Sequence, residues 1–114
     1  MEDCVFCKII NRQLPSKIVY EDEKVMAFYD INPVTPVHVI IIPKLHIANV
    51  NELTEDNSYV MADIHLAAQK IADKLGIAKE GYRLINNCGE DAGQTVFHLH
   101  YHLLGGRRLG AKII

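Results

Sequence analysis

Three histidines that alternate with apolar residues constrain this chain more than any other feature of its sequence. They lie at His98, His100 and His102, with a single apolar residue in each gap. A period of two is typical of a β-strand, in which successive side chains point to opposite faces. The pattern therefore predicts a strand over residues 96–104, with the three imidazoles on one face and the intervening side chains in a core.

A face of three imidazoles suits two kinds of chemistry. Alternate histidines can converge on one zinc ion that keeps a bound water. A neutral imidazole can also attack a phosphorus or carbonyl centre while its neighbours orient it and receive protons. The turn at Gly93-Gln94-Thr95, just before the histidines, offers small side chains and backbone N–H groups that can approach an anion. A purely structural role for three histidines in register is the weaker interpretation.

The remaining sequence predicts short strands and one long helix. A short helix or turn is expected over residues 4–10, a loop or short helical turn over 44–52, and further strands over 17–20, 25–29, 38–43 and 82–87. Thr54 is the predicted N-cap of a helix that runs to Leu75 and ends at Gly76. This order indicates an α+β fold on an antiparallel sheet, as one domain over residues 1–114 with a tail over 105–114.

The amino-acid composition and net charge exclude several classes of partner. The chain has 49% hydrophobic and 23% charged residues and a formal net charge of −2, so neither nucleic acid nor a membrane surface is an expected partner. No apolar run approaches the roughly 18–20 residues of a membrane span. The acidic start of the chain lacks a signal-like leader, and a cytoplasmic protein is expected.

Two of the three cysteines form a Cys-x-x-Cys pair, Cys4 and Cys7. They are too close in sequence for an ordinary structural disulfide, which favours metal or redox use. With two distant histidines they would complete a tetrahedral zinc site, and a reduced thiol pair without metal is the alternative. Cys88 has no evident partner and is interpreted as a buried strand thiol.

The stretch QTVFHLHYHLL at residues 94–104 resembles the histidine triad signature, His-φ-His-φ-His-φ-φ with φ apolar. The following Gly105-Gly106 resembles the Hint branch, the histidine triad (HIT) nucleotide-binding proteins. The resemblance runs over residues 4–106. It implies a HIT-like fold with a five-stranded antiparallel sheet, one long helix and one or two short ones. It also implies a homodimer in which two sheets join into a continuous ten-stranded sheet.

The resemblance also implies roles for the histidines. His100 would attack the α-phosphorus of a nucleotide derivative and become nucleotidylated, and water would then release the nucleotide. His102 would contact the phosphate or the bridging atom, and His38 would orient the triad, whose first member is His98. Zinc-bearing members also use the first triad histidine and the histidine that corresponds to His46, so the implied structural zinc site is Cys4, Cys7, His46 and His98.

The rest of the implied site binds a purine nucleotide such as AMP or GMP. Asp30 would accept hydrogen bonds from the ribose hydroxyls. Phosphate and leaving-group contacts are implied at Asn87, Gly93, Gln94 and Thr95. The base slot is implied at Val5, Phe6, Ile9, Phe28, Tyr29, Ile31 and Ile40.

These roles describe an enzyme of the purine nucleoside phosphoramidase type that cleaves AMP- or GMP-linked phosphoramidates through a nucleotidyl-histidine. The alternatives are a dinucleoside polyphosphate hydrolase, a nucleotide-binding module that does not turn over, and a zinc hydrolase in which the three histidines hold the metal. The chain has no tryptophan, unlike the best known Hint members, whose final residues shape the preference for a leaving group. The leaving group is therefore open.

Overall fold

The computed structural model describes residues 3–114, and the first two residues of the predicted acidic start lie outside the described part. Two α-helices and five strands follow one another along the chain: α1 (Val5–Ile10), β1 (Ile18–Glu21), β2 (Val25–Tyr29), β3 (Val37–Pro43), α2 (Tyr59–Lys74), β4 (Arg83–Ile85) and β5 (Tyr101–Gly105). Two single 3-10 turns, Val50–Glu52 and Glu90–Ala92, lie in the connections.

The five strands form one antiparallel sheet in the order β1-β2-β3-β5-β4. The strand β3 is the longest and lies at the centre, and Pro43 is its last residue, as predicted for a proline that cannot donate to the ladder. The predicted α+β fold, a five-stranded antiparallel sheet with one long helix, is confirmed. The β-branched residues of β3 are buried on both faces of the sheet.

Successive residues of β3 enter two different hydrophobic cores. Val39 and Ile41 pack in the core beneath α2, and Ile40 and Ile42 pack in the core beneath α1. The long α2 contributes Val60, Ile64, Ala67, Ala68, Ile71 and Ala72 to its core. The six-residue α1 contributes only Phe6 and Ile9, so it covers a small part of its face and leaves room beside it.

The long helix begins later than predicted. Thr54 does not cap α2, because it exchanges hydrogen bonds with Asn57, whose side chain accepts from Thr54 N at 2.7 Å. That pair closes a separate turn, and the 16-residue α2 starts at Tyr59. The predicted end is confirmed, since Gly76 follows with φ +74°. Within residues 3–114, no helix is both long enough and apolar enough to span a bilayer.

The histidine strand is also shorter than predicted, and β5 starts only at Tyr101. Upstream, Leu99 N donates to Ile47 O at 2.6 Å, which takes the chain away from the β3 ladder. The predicted alternation is nevertheless confirmed, since Leu99 and Leu103 lie in the core beneath α2 while the histidines lie on the α1 side. The predicted strand over residues 82–87 is likewise reduced to β4.

Candidate active site

A cavity of about 720 Å³ opens beside α1, on the face of the sheet that α2 does not cover. Its walls join the apolar residues of α1, β2 and β3 to the polar residues that follow β2 and β4 and to two histidines near β5. The lining consists of Val5, Phe6, Ile9, Pro15, Ser16, Lys17, Phe28, Tyr29, Asp30, Ile31, Ile40, Asn87, Gly93, Thr95, Val96, His100 and His102. Such a mixture of apolar walls and few polar groups is typical of a small-molecule site.

His100 presents an unprotonated ring nitrogen to this cavity. Its Nδ1 lies 2.8 Å from the backbone oxygen of His98. A carbonyl oxygen can only accept, so Nδ1 carries the proton and Nε2 keeps its lone pair. The Phe6 ring and the imidazole pack edge to face, with 5.1 Å between their centroids. Burial lowers the pKa of His100, which keeps the ring neutral and nucleophilic.

His38 and His102 form a hydrogen-bonded pair with a defined direction. The backbone N–H of Val34 donates to His38 Nδ1 at 3.1 Å, so His38 carries its proton on Nε2. That Nε2 lies 2.9 Å from His102 Nδ1 and 3.4 Å from an oxygen of Asp30. His102 Nδ1 therefore accepts, and the proton of His102 is on Nε2. The pair leaves one N–H donor on His102, which lines the cavity.

His98 faces away from the cavity towards a different set of groups. It is fully buried, and its Nε2 donates to the backbone oxygen of Pro43 at 2.8 Å. The lone pair is therefore on Nδ1, which lies 3.3 Å from Cys4 Sγ and 3.2 Å from His46 Nδ1. Burial lowers the pKa of His98 to about 4, so the ring is neutral and available as a ligand.

Cys4, Cys7, His46 and His98 can hold a metal ion, because their ligand atoms all lie within 4.8 Å of one another. Zinc bonds of about 2.3 Å to sulfur and about 2.0–2.1 Å to nitrogen require tetrahedral neighbours that are about 3.3–3.8 Å apart. The sulfur to nitrogen distances are 3.3, 3.3 and 3.6 Å, and the two nitrogens are 3.2 Å apart. The donor set fits a tetrahedral ion.

The thiols of this group favour a cation as well. Burial, followed by the hydrogen bond and the charge of Cys4, raises the pKa of Cys7 to about 11. Two adjacent thiolates therefore repel each other unless a positive charge lies between them. The backbone N–H of Cys7 donates to Cys4 Sγ at 3.3 Å. The same bond caps the N-terminus of α1.

The structure divides the predicted site residues between two places. His100, His102, Asp30, Asn87, Gly93, Thr95 and the whole predicted base slot line the cavity. His38 is hydrogen-bonded to His102. His98 belongs to the set of Cys4, Cys7, His46 and His98, which we call the cysteine group. The three triad histidines therefore do not converge on one ion, which speaks against the zinc hydrolase alternative. In the described part of the chain, the groups that could hold a metal are Cys4, Cys7, His46 and His98 and, separately, Asp30, His38 and His102, and His100 belongs to neither.

Gln94 is the predicted contact residue that lies outside the lining. Its side-chain oxygen accepts from Gly89 N at 2.9 Å, and its amide nitrogen donates to Ala48 O at 2.8 Å and Val96 O at 3.0 Å. Its own backbone N–H donates to Gly89 O at 3.1 Å. Gln94 is thus used to shape the loop that carries Gly93 and Thr95 into the lining.

Several residues at the site have no counterpart in the sequence-based prediction. Pro15, Ser16 and Lys17 line the cavity just before β1, in a stretch that reads as an ordinary loop. Asn86 donates its side-chain amide to the backbone oxygen of His100 at 2.9 Å, beyond the point where the β4 ladder ends. A polar residue at the end of a short predicted strand was the only available signal for Asn86.

The fold and the site together define an α+β protein with a neutral imidazole in an apolar cavity and an adjoining Cys₂His₂ group. Comparison with known proteins gives the family. The HIT domain family matches residues 11–109, and the chain belongs to that family. The family that the sequence resembles is thereby confirmed.

Relatives of similar length match along nearly the whole chain. A purine nucleoside phosphoramidase of Escherichia coli is 48% identical over 112 residues, which cover 98% of this chain and 94% of the relative. The structure of a HIT family hydrolase from Clostridium thermocellum has a TM-score of 0.98 and 67% identity, covering 100% of this chain and 99% of that one. A histidine triad protein from Clostridium difficile has a TM-score of 0.95 and 45% identity, covering 98% and 97%.

Proposed function

We propose that this protein is a nucleotidyl hydrolase of the nucleoside phosphoramidase type. The observation that carries the proposal is the tautomer of His100, whose Nδ1–H donates to His98 O and leaves Nε2 free in the cavity. The activity named for the Escherichia coli relative supports the same reaction class. The substrate is a purine nucleoside monophosphate, AMP or GMP, joined to an amine through a P–N bond.

The reaction proceeds in two displacements. His100 Nε2 attacks the α-phosphorus, the P–N bond breaks, and the departing nitrogen takes a proton from solvent and leaves as the amine. Water then attacks the same phosphorus and releases a proton to solvent, the bond to His100 Nε2 breaks, and the nucleotide is released with the imidazole restored. Covalent capture divides one difficult displacement into two easier ones. Negative charge on the phosphate oxygens is stabilised by the His102 N–H, whose direction is fixed by His38.

The other lining residues bind and orient the nucleotide. The Asp30 carboxylate accepts hydrogen bonds from the ribose hydroxyls. Its side chain is held in place because one of its oxygens already accepts from Asn32 N at 2.7 Å. Asn87, Gly93 and Thr95 contact the phosphate or the leaving group. The base occupies the apolar slot around Phe6, and Gln94 acts through the loop and not by direct contact.

Turnover of adenosine 5′-phosphoramidate tests this proposal. The wild-type protein is expected to release AMP and ammonia, and rapid acid quenching is expected to trap protein heavier by one nucleotidyl group. His100→Ala should abolish both signals. A His100→Ala variant that turns over at the wild-type rate would refute the proposal. Tight AMP binding without hydrolysis of phosphoramidates or dinucleoside polyphosphates would instead identify a binding module.

The metal in the cysteine group is proposed to be zinc. Two thiolates and two imidazoles at tetrahedral distances are a donor set that zinc prefers. Zinc there would neutralise the thiolates and tie α1 to the sheet, and it takes no part in the chemical steps. Elemental analysis of protein purified without added metal should give about one zinc per chain, and native protein that lacks stoichiometric zinc would contradict the assignment.

The protein is further proposed to be a homodimer in which the two sheets join. The resemblance to HIT proteins supports this assembly, and β4 and β1 are the strands at the sheet edges. Light scattering coupled to size exclusion should give twice the chain mass, and a monomer at micromolar concentration would exclude it. Reduced Cys4 and Cys7 require a reducing compartment, which supports the cytoplasm as the location.

A further inference from the structure

One polar group at the apolar end of the cavity has no partner. Ser16 lines the cavity between Pro15 and Lys17, and its Oγ is shielded from solvent without any hydrogen bond. Among the described residues, only Asp63 shares this condition, and Asp63 lies on α2 away from the cavity. A buried hydroxyl without a partner costs about 1–3 kcal/mol, so its presence calls for a physical reason.

The order of the strands places Ser16 opposite the chemistry. His100 and His102 lie at β5, Asp30 follows β2, and Ser16 precedes β1 at the sheet edge. Three strand spacings separate β5 from β1, a distance of roughly 14 Å. A nucleotide with its phosphorus at His100 and its ribose at Asp30 therefore lies across the strands with its base directed towards Ser16.

Most of the other groups at that end are less suited to reading both purines, although the exposed Tyr29 also carries a hydroxyl in the lining. Phe6, Ile9 and Phe28 are buried and apolar, so they provide contact area without hydrogen bonds. Lys17 is exposed, and its ammonium group is a donor only. A serine hydroxyl can both donate and accept, and its direction changes with the χ1 rotamer.

We propose that Ser16 reads the substituent at position 6 of the purine. Its hydroxyl accepts from the 6-amino group of adenine or donates to the 6-oxygen of guanine, so one residue serves both purines. The smaller pyrimidine ring leaves the hydroxyl unpaired and is discriminated against. This inference rests on the proposed function, because it needs the phosphorus to lie at His100.

The test compares two substrates on matched variants. Adenosine 5′-phosphoramidate carries the 6-amino group, and the 5′-phosphoramidate of purine riboside carries hydrogen there. Wild-type protein should prefer the adenosine substrate by about 3- to 10-fold in kcat/KM, which corresponds to one net hydrogen bond. The difference between the two substrates should lie in KM and not in kcat. In Ser16→Ala the two substrates should become equal, while Ser16→Thr should keep the preference.

The control is Ser58→Ala, since Ser58 is exposed at the start of α2 and its side chain makes no capping bond. This variant should discriminate like the wild type. A Ser16→Ala variant that still prefers adenosine as strongly as the wild type overturns the assignment, even if hydrolysis proceeds. Should the wild type hydrolyse neither substrate, calorimetric binding of AMP and of purine riboside monophosphate decides the role of Ser16 separately from the proposed reaction.

Discussion

The metal-capable group and the cavity each take a histidine from the same short stretch, His98 for the first and His100 for the second. Both rings are buried and neutral, and burial lowers the pKa of both. They differ in the nitrogen that carries the proton. His98 donates from Nε2 to Pro43 O and offers Nδ1, whereas His100 donates from Nδ1 to His98 O and offers Nε2.

That difference assigns separate chemistry to identical side chains. The lone pair of His98 lies near two sulfurs and one nitrogen, those of Cys4, Cys7 and His46, which is a setting for a metal ligand. The lone pair of His100 belongs to a ring that lines an open cavity, which is a setting for a nucleophile. The two regions are still linked by one hydrogen bond, because the backbone oxygen of His98 accepts from the Nδ1–H of His100.

The largest expected effect separates these two histidines. His100→Ala should lower kcat by at least about 10³-fold, since it removes the nucleophile, and should leave metal binding intact. His98→Ala should release the metal but keep the backbone oxygen that orients His100, so its loss of activity should stay within about 10- to 100-fold. Single-turnover kinetics and elemental analysis on both variants measure the two effects. Equal losses of activity would mean that the two regions are not chemically distinct.

The second prediction concerns the link between the regions through α1. Cys4 and Cys7 flank Phe6, and α1 has only six residues, too few to be stable alone. Removal of the metal by His46→Ala should lower Tm by roughly 10 °C and raise KM a few-fold because the base slot loosens.

Cys88→Ala is the matched control for that measurement. Cys88 is the one cysteine that the metal-capable group does not include, so this variant should keep its metal and its Tm within a few degrees. Thermal scans with and without a chelator provide the comparison. A chelated wild type with unchanged Tm and unchanged KM would show that the cysteine group does not support the cavity.

The alternation of residues explains how much of this arrangement follows from sequence. A period of two was enough to place Leu99 and Leu103 in one core and the histidines on the other face, and the structure confirms it. The limits of the strand could not be predicted, because Leu99 bonds to Ile47, more than fifty positions away. Local patterns carry no information about such a partner.

The chemistry of each histidine was less predictable than its position. The tautomer of His98 depends on Pro43 O, which is 55 residues distant, and that of His38 depends on the N–H of Val34 in an irregular loop. Gln94 matched a family contact by position, yet its side chain is bonded to three backbone groups. Ser16 gave no signal, since a serine after a proline is common in loops.

The smallest expected effect is a dependence of stability on pH that belongs to the His38–His102 pair. Burial lowers the pKa of both rings in the folded protein, and Val34 N–H leaves no place for a second proton on His38. Below about pH 6.5 the unfolded chain therefore binds more protons at these rings, and the free energy of unfolding should fall as the pH falls.

The variant His38→Gln tests this prediction, because it removes one titrating ring and keeps an amide donor for His102. Urea unfolding of metal-free wild type and metal-free His38→Gln at pH 7.5 and 5.5 should show a smaller loss of stability at the acid pH in the variant, because all other side chains are the same in the two proteins. An equal loss in the two proteins would show that burial does not lower the pKa values of this pair in the folded state.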